Sequence, residues 1–218
     1  MKKIFIPLAL VAFLISFIGC TRVTVNVPDW KDFVPTLERV PQERAGEVTK
    51  NGEDLTLLGP LKKIGDKAPG FKALDKDSNK VELKQFKGKV ILIASVVSVE
   101  TKVCDTETRK FNEEAAKLPD VVLITISQDL PFTLEHYCAA QGIDKIHVWS
   151  DHTYCEFGMK YGVMIKESRL LARAVFVINK EGKISHMEIV PELTNEPDYA
   201  AALQAVQDAL KAEPKPND

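Results

Sequence analysis

The chain has 218 residues, of which 45% are hydrophobic and 28% are charged. This composition is that of an ordinary globular protein, so it excludes a globally disordered, fibrous or polytopic membrane chain. The length predicts one domain with additional segments, and a formal net charge of −2 gives no reason to expect a nucleic-acid partner.

An apolar segment opens the chain. Two lysines precede a run from Ile4 to Ile18, and the small residue Gly19 directly precedes Cys20. This order is typical of an export signal. The run has about 15 residues, fewer than the roughly 20 that a membrane-spanning helix needs. We therefore predict a signal peptide over residues 1–19, with an uncleaved membrane anchor as the alternative.

The end of this segment, Phe17-Ile18-Gly19-Cys20, resembles the lipobox of bacterial lipoproteins. In that family the cysteine becomes the lipid-modified N-terminus, so the resemblance implies lipidation of Cys20. Stable anchoring follows from two or more acyl chains, because each buried CH₂ contributes ~0.8 kcal/mol. In that family an Asp directly after the lipidated cysteine is associated with retention in the inner membrane. This chain has Thr21 at that position, so the resemblance favours the periplasmic face of the outer membrane.

A proline-containing segment separates the export signal from the predicted domain. Residues 20–43 carry three prolines among mixed charges and show no helical or strand periodicity. We interpret them as a lipidated tether, and about 23 flexible residues would span roughly 25–30 Å, enough to clear the lipid headgroups. The folded domain is then expected over residues 44–212, followed by a tail over 213–218.

The predicted domain begins with a hairpin, marked by the turn signals Asn51-Gly52 and Gly59-Pro60. Three apolar, β-branched runs follow along the chain. They are Val90–Val97, Val121–Ile126 and Ala172–Ile178. Such nearly continuous runs are typical of strands that are buried on both faces.

Helical patterns lie between and after these runs. Phe111, Ala115 and Leu118 recur at i, i+4 and i+7 after Cys104, and a closing helix is expected from Tyr199 to Leu210. Strands that alternate with helices predict an α/β layered domain.

Three cysteines lie in the predicted domain: Cys104, Cys138 and Cys155. In an exported protein they face an oxidising compartment, where two of them can pair and one is left over. The absence of a Cys-x-x-Cys motif argues against a thioredoxin-type disulfide carrier. A zinc site built from His136, Cys138, His152 and Cys155 is an alternative, but its spacing matches no common zinc finger.

Cys104 stands where the strand ending near Val97 gives way to a helix expected to begin near Asp105. Its sulfur should therefore lie beside the first-turn amides, whose free N–H groups and helix dipole favour the nucleophilic thiolate. A nearby guanidinium would favour the anion further. A buried, inert cysteine is the alternative.

Several motifs lie in a fixed order along the domain. Thr101-Lys102-Val103-Cys104-Asp105 leads into Arg109–Ala116, and Cys138 follows Cys104 by 34 residues. The remaining motifs are Gly65–Phe71, Ser127–Phe132, Tyr161–Val163, Leu170–Val175 and Glu196–Tyr199. Together they resemble the bacterial thiol peroxidases, a branch of the atypical two-cysteine peroxiredoxins, over about residues 44–211.

The resemblance implies a thioredoxin-like fold, with a central mixed sheet flanked by helices, and an enzyme that reduces hydrogen peroxide and alkyl hydroperoxides. Cys104 would be the peroxidatic cysteine, oxidised to a sulfenic acid, and Cys138 the resolving cysteine that forms a disulfide with it. Thr101 would orient the thiolate and the peroxide, and Arg173 would stabilise negative charge on both. No metal, haem or other cofactor is implied.

These roles have alternatives at the level of single residues. Thr101 could be only a helix N-cap, Arg173 a partner in a surface ion pair, and Cys138 a small core residue. Cys155 has no counterpart in the family pattern, and we interpret it as a spare thiol. Because two cysteines on separate helices often start too far apart for a disulfide, we expect local unwinding around Cys104, Cys138 or both.

The sequence departs from the family pattern at one place. The family has a proline about seven residues before the peroxidatic cysteine, a place taken here by Val97, or by Ser98 if the loop has lost a residue. Its loss is expected to loosen the loop and slow the enzyme without abolishing activity.

The expected partners are a small hydroperoxide, a thioredoxin-like protein reductant and, through the lipid anchor, a membrane; a homodimer is left open. Because the usual reductant of the family is cytosolic, an exported enzyme needs a membrane thiol relay or a periplasmic thioredoxin-like protein. The rival interpretation is a catalytically weak redox-sensing or binding lipoprotein with a structural disulfide. A thiol–disulfide oxidoreductase acting on proteins is a second rival.

Overall fold

The protein is described by a computed structural model that covers residues 41–212. The predicted export signal, Cys20, the tether up to residue 40 and the tail from residue 213 lie outside the described residues. Within residues 41–212, no helix combines the length and the apolar character needed to cross a membrane.

The described residues form ten strands, four α-helices and a short 3-10 helix at Leu83–Phe86. The strands are β1 (Glu43–Lys50), β2 (Glu53–Leu58), β3 (Lys72–Asp75), β4 (Lys80–Glu82), β5 (Val90–Ser95), β6 (Val121–Ser127), β7 (His147–Ser150), β8 (Met164–Ile165), β9 (Ala174–Ile178) and β10 (Ile184–Ile189). The helices are α1 (Lys102–Ala115), α2 (Pro131–Gln141), α3 (Glu156–Tyr161) and α4 (Tyr199–Lys211).

The predicted N-terminal hairpin is confirmed. β1 and β2 pair antiparallel, and β8 extends them to a three-stranded sheet. Asn51 and Gly52 turn the chain with φ angles of 53° and 81°. This left-handed geometry is the one that two-residue hairpin turns require, which is why Asn-Gly is a strong turn signal.

The predicted central mixed sheet is also confirmed. Seven strands lie in the order β10-β9-β5-β6-β7-β3-β4, with β6 parallel to both β5 and β7 and the other pairs antiparallel. All residues of β5 are buried, as expected for a strand covered on both faces.

Side chains of β5 alternate between two hydrophobic layers. Val90, Leu92 and Ala94 belong to a cluster with residues of α1 and α4, whereas Ile91 and Ile93 belong to the cluster that includes α3 and the hairpin. The sheet therefore lies between two helical layers, which is the expected thioredoxin-like α/β arrangement.

Two predicted strands are longer than the observed ones. β5 ends at Ser95 instead of Val97, and β9 begins at Ala174 instead of Ala172. The Ala172 amide donates to the Val163 carbonyl at 2.8 Å, which takes this residue out of the sheet ladder. Both strand ends give way to irregular backbone where the candidate site lies.

Candidate active site

Cys104 lies in the first turn of α1 and is fully buried. The helix begins at Lys102, so the prediction of a start near Asp105 was wrong by three residues. The amide of Asp105 already donates to the Thr101 carbonyl at 2.9 Å. Cys104 therefore lies at the N-terminal, positive end of the helix, as predicted.

Arg173 is only 1% exposed and lies in the short stretch just before β9. Its Nη2 donates to the Cys104 sulfur at 3.3 Å and to the Leu193 carbonyl at 3.1 Å. Its Nη1 donates to the carboxylate of Glu107. Arg173 is thus part of a buried ion pair, and the surface ion pair considered as an alternative is wrong.

Glu107 is the site residue that the sequence reasoning missed. It lies one turn after Cys104 on the same side of α1, it is fully buried, and its Oε1 has no hydrogen-bond partner in residues 41–212. Burial raises its pKa to about 7, although the charge of Arg173 opposes this shift. The available signal was the i, i+3 spacing between Cys104 and a carboxylate on a helix face that also carries Phe111.

Arg173 therefore carries one positive charge and donates hydrogen bonds to two buried acidic groups, the Cys104 thiol and the Glu107 carboxyl group. A guanidinium suits this task because it is planar, keeps its charge in an apolar setting and has several donors in fixed directions. The arrangement places a positive charge within hydrogen-bond distance of the Cys104 sulfur and leaves room for Glu107 to hold a proton near neutral pH.

Thr101 occupies the N-cap position of α1, and its side chain is exposed. It makes no side-chain capping bond, and it is not among the described hydrogen-bond partners of Cys104. The structure thus brings Cys104 and Arg173 together but does not bring the Thr101 hydroxyl to them. The orienting role of Thr101 stays a prediction.

The loop between β5 and α1 is held by Asp129, whose role the sequence reasoning also missed. One carboxylate oxygen of Asp129 accepts from the Ser98 hydroxyl at 2.8 Å, and the other accepts from the Val99 amide at 2.8 Å. The Ser127 hydroxyl also donates to Asp129, at 2.8 Å. These bonds restrain the loop where the family has its proline.

Cys138 lies in the last turn of α2 and is buried in the same hydrophobic cluster as Cys104. Both are free thiols in the structure. Burial raises the pKa of the Cys138 thiol, and the charge of Lys76 opposes this shift. A side-chain bond links the neighbours of the two cysteines, since the Tyr137 hydroxyl donates to the Asp105 carboxylate at 3.1 Å.

Cys155 lies apart from this cluster. It precedes α3 with a φ angle of 50°, and it packs against the larger core cluster instead. Within residues 41–212 no three His, Cys, Asp or Glu side chains are grouped closely enough to hold a metal ion. The alternative zinc set of His136, Cys138, His152 and Cys155 is therefore not assembled.

The fold and the buried cysteine–arginine pair together define a thioredoxin-fold protein with a thiol site. A family model described as Redoxin matches residues 63–203. The solved structure of a peroxiredoxin-like protein from Aquifex aeolicus is similar with a TM-score of 0.72 and 39% identity, covering 76% of this chain and 99% of that one.

Relatives found by sequence comparison show which branch of this fold the chain belongs to. A thiol peroxidase from Oceanobacillus iheyensis is 49% identical over 156 residues, which is 72% of this chain and 95% of the relative. A thiol peroxidase from Bacillus subtilis is 47% identical over 165 residues, or 76% of this chain and 99% of the relative. The chain belongs to the thiol peroxidases of the Redoxin family, and it is a peroxiredoxin-type enzyme, a thiol-dependent peroxidase.

Proposed function

We propose that Cys104 is the peroxidatic cysteine of this enzyme and that it reduces hydrogen peroxide and alkyl hydroperoxides. The observation that carries this assignment is the 3.3 Å contact from Arg173 Nη2 to the Cys104 sulfur inside a buried site. Of the three described cysteines, Cys104 alone has a guanidinium among its hydrogen-bond partners.

In the first step the Cys104 thiolate attacks one peroxide oxygen. The S–O bond forms as the O–O bond breaks, and the leaving oxygen takes up a proton to become water or an alcohol. Sulfur is oxidised to the sulfenic acid, and the peroxide is reduced by two electrons. Arg173 stabilises the charge that spreads over both oxygens in the transition state, and Thr101 is the proposed orienting hydroxyl.

In the second step the Cys138 thiol loses its proton and its sulfur attacks the sulfenic sulfur, so that an S–S bond forms and the S–O bond breaks. The leaving hydroxide takes up the proton and departs as water. A dithiol reductant of the thioredoxin type then supplies two electrons and two protons to restore both thiols. Disulfide geometry needs the two Cα atoms within ~7 Å. We propose that the first turn of α1 or the last turn of α2 unwinds to meet this requirement.

A kinetic comparison of cysteine variants tests the assignment. The full chain is assayed for peroxide consumption with dithiothreitol as the reductant. Cys104→Ser should lose turnover, whereas Cys155→Ser, the matched control, should keep it. Full activity in Cys104→Ser would overturn the assignment of Cys104, whereas negligible turnover in the unchanged chain would favour a redox-sensing or binding role.

The role of Cys138 needs a different readout, because a small thiol reduces a sulfenic acid directly. In Cys138→Ser the sulfenic acid should persist long enough to be trapped by dimedone at Cys104. Turnover with a thioredoxin-type protein as the reductant should be lost in this variant. Undiminished turnover with the protein reductant would show that Cys138 is not the resolving cysteine.

We also propose that the enzyme is exported, loses residues 1–19 and is anchored through lipid on Cys20 at the periplasmic face of the outer membrane. The support is the order of charged, apolar and small residues that ends in Cys20. Intact-mass analysis of membrane-extracted protein should give a chain that begins at a diacylated Cys20. The mass of an unprocessed, unmodified chain would contradict export.

A further inference from the structure

A groove with a volume of about 320 Å³ lies at the end of the central sheet that is opposite Cys104. Ile91 at the start of β5 and Ile178 at the end of β9 line it, whereas Cys104 follows the other end of β5. At ~3.3 Å per residue, the five steps along the six-residue strand separate its two ends by roughly 17 Å. The groove is therefore separate from the peroxidatic site.

The floor of the groove is apolar and fixed. Leu83, Ile91 and Ile178 belong to the buried core, and the half-buried Phe86 lies beside them. The Phe86 ring stacks on Trp149 with 5.8 Å between centroids and 15° between planes. An apolar ligand group could bury its surface here without rearranging the core.

The rim of the groove is strongly cationic. It carries one acidic residue, Glu181, and five lysines: Lys67, Lys84, Lys87, Lys89 and Lys180. Lys84 pairs with Glu82 at 2.6 Å, but Lys67, Lys87 and Lys89 make no ion pair with any residue in 41–212. Because the chain as a whole has a formal net charge of −2, this excess of positive charge is local.

Backbone hydrogen bonds hold the rim in place. The Lys87 and Lys89 amides donate to the Lys84 and Phe86 carbonyls at 3.2 and 3.1 Å. On the other side the Ala68 amide donates to the Gly182 carbonyl at 2.9 Å. A preformed cavity keeps the ordering cost of binding low.

We propose that this groove binds an anionic amphiphile, a molecule with a phosphate or carboxylate head and an acyl chain. The head would lie among the unpaired ammonium groups of Lys67, Lys87 and Lys89, and the chain would lie on the floor. Charge complementarity selects the head, and the apolar floor selects the chain. An inorganic anion would leave the floor empty, and a neutral lipid would leave the lysines without a partner.

Calorimetric titration of the full chain with monomeric octyl phosphate tests the proposal. We expect saturable binding at one site, and binding of octanol or inorganic phosphate at least about tenfold weaker, because each lacks one of the two complementary parts. No saturable binding of octyl phosphate, or equal binding of the three probes, would overturn the proposal.

Paired charge reversals locate the site. Lys87→Glu with Lys89→Glu should weaken octyl phosphate binding at least about tenfold, since two attractive charges become repulsive. Lys50→Glu with Lys117→Glu changes the charge equally outside the groove and should leave binding unchanged. Peroxidase activity should persist in both proteins and so report an intact fold. Equal weakening in both would reject the groove as the site.

Vesicles distinguish the two sources of such a ligand. Retention by phosphatidylglycerol vesicles, compared with phosphatidylcholine vesicles, is measured for the unchanged chain and for the Lys87→Glu, Lys89→Glu chain. Both chains carry the same N-terminal segment, so a difference in their retention measures the contribution of the groove. Selective loss of retention in the variant identifies a membrane lipid as the ligand. Equal retention excludes a membrane lipid and, together with octyl phosphate binding, leaves a free amphiphile as the ligand.

Discussion

In the proposed mechanism, Arg173 is the residue on which the chemistry of the site depends. It is buried, and it contacts both the Cys104 sulfur and the Glu107 carboxylate. A positive charge in a buried site is expensive unless paired, and Arg173 lies within hydrogen-bond distance of two groups that can carry the matching negative charge. Lysine in the same place would carry the charge without the forked donors.

Arg173→Lys should therefore lower kcat/KM for hydrogen peroxide by about 10²-fold, the loss typical when one donor to a developing anion is removed. Arg44→Lys is a matched control, because Arg44 is also buried but donates to the carbonyls of Gly59 and Gly162. Stopped-flow measurement of peroxide reduction should show the loss in the first variant only. Equal rates of peroxide reduction in the two variants would show that Arg173 has no role in the reaction.

Glu107 makes the stability of the protein depend on pH. Its pKa is raised to about 7, chiefly by burial, whereas a glutamate in the unfolded chain ionises near ~4.3. Between these values the folded state keeps a proton that the unfolded state has released. The contribution of Glu107 to the unfolding free energy is therefore complete below about pH 4, and it is lost as the pH rises to about 7.

Glu107→Gln should remove this part of the pH dependence. Relative to the unchanged chain, the variant should gain unfolding free energy between pH 5 and 7, by at most about 1.4 kcal/mol per pH unit. Urea unfolding across this range measures the difference. Glu113→Gln, exposed on the same helix, is the control. Parallel curves for Glu107→Gln and the unchanged chain would contradict a protonated Glu107.

At the scale of elements, the loop before α1 and the contact between α1 and α2 govern the site. Ser98 and Val99 fix the loop through Asp129, so the absent proline is partly replaced by hydrogen bonds. The Val97 amide has no backbone hydrogen-bond partner in residues 41–212, so a proline there would remove no bond.

Val97→Pro should therefore stiffen the loop, raise the unfolding free energy by about 0.4–1 kcal/mol and speed peroxide consumption. Ser98→Pro should bring no such gain, because it removes the hydroxyl that donates to Asp129. Peroxide assays and thermal unfolding of the two variants give the comparison. A failure of Val97→Pro to gain rate would reject the loop argument.

The bond between Tyr137 and Asp105 joins α2 to α1 next to the two cysteines. A net hydrogen bond contributes about 1 kcal/mol, so Tyr137→Phe should favour local unwinding several-fold and speed disulfide formation. Faster resolution should leave less sulfinic acid on Cys104 at high peroxide, as measured by mass spectrometry. Tyr161→Phe, which loses a bond to the Pro69 carbonyl, is the matched control.

More sulfinic acid in Tyr137→Phe than in the control would contradict this account of the α1–α2 contact. Amide exchange tests the unwinding itself, because residues 100–110 and 132–142 should exchange faster in the oxidised protein than in the reduced one. Identical exchange in the two forms would show that the disulfide forms without unwinding.

For the whole molecule, local sequence patterns predicted the secondary-structure elements whose formation depends on neighbouring residues, such as tight turns and long apolar strands. Asn51-Gly52 marked the hairpin, and the apolar runs from Val90 and Val121 marked the central strands. Short strands such as β3, β4 and β8 carry too few residues for a visible period, and their positions depend on their partners in the sheet.

The site was predictable in part for the same reason. Cys104, Cys138 and Arg173 belong to motifs in a recognisable order, whereas the pairing of Glu107 with Arg173 joins residues 66 positions apart and depends on the tertiary fold. Asp129 likewise bonds to Ser98 from the end of a neighbouring strand. Contacts of this kind are fixed by the sheet order, which no local pattern contains.

The most direct test of the central claim is peptide mapping of the full chain after reaction with one equivalent of hydrogen peroxide. The account predicts that the peptides containing Cys104 and Cys138 are recovered joined, with the loss of two hydrogens, while Cys155 remains a free thiol. Recovery of Cys104 as an unmodified thiol, with oxidation at Cys155 instead, would contradict the account.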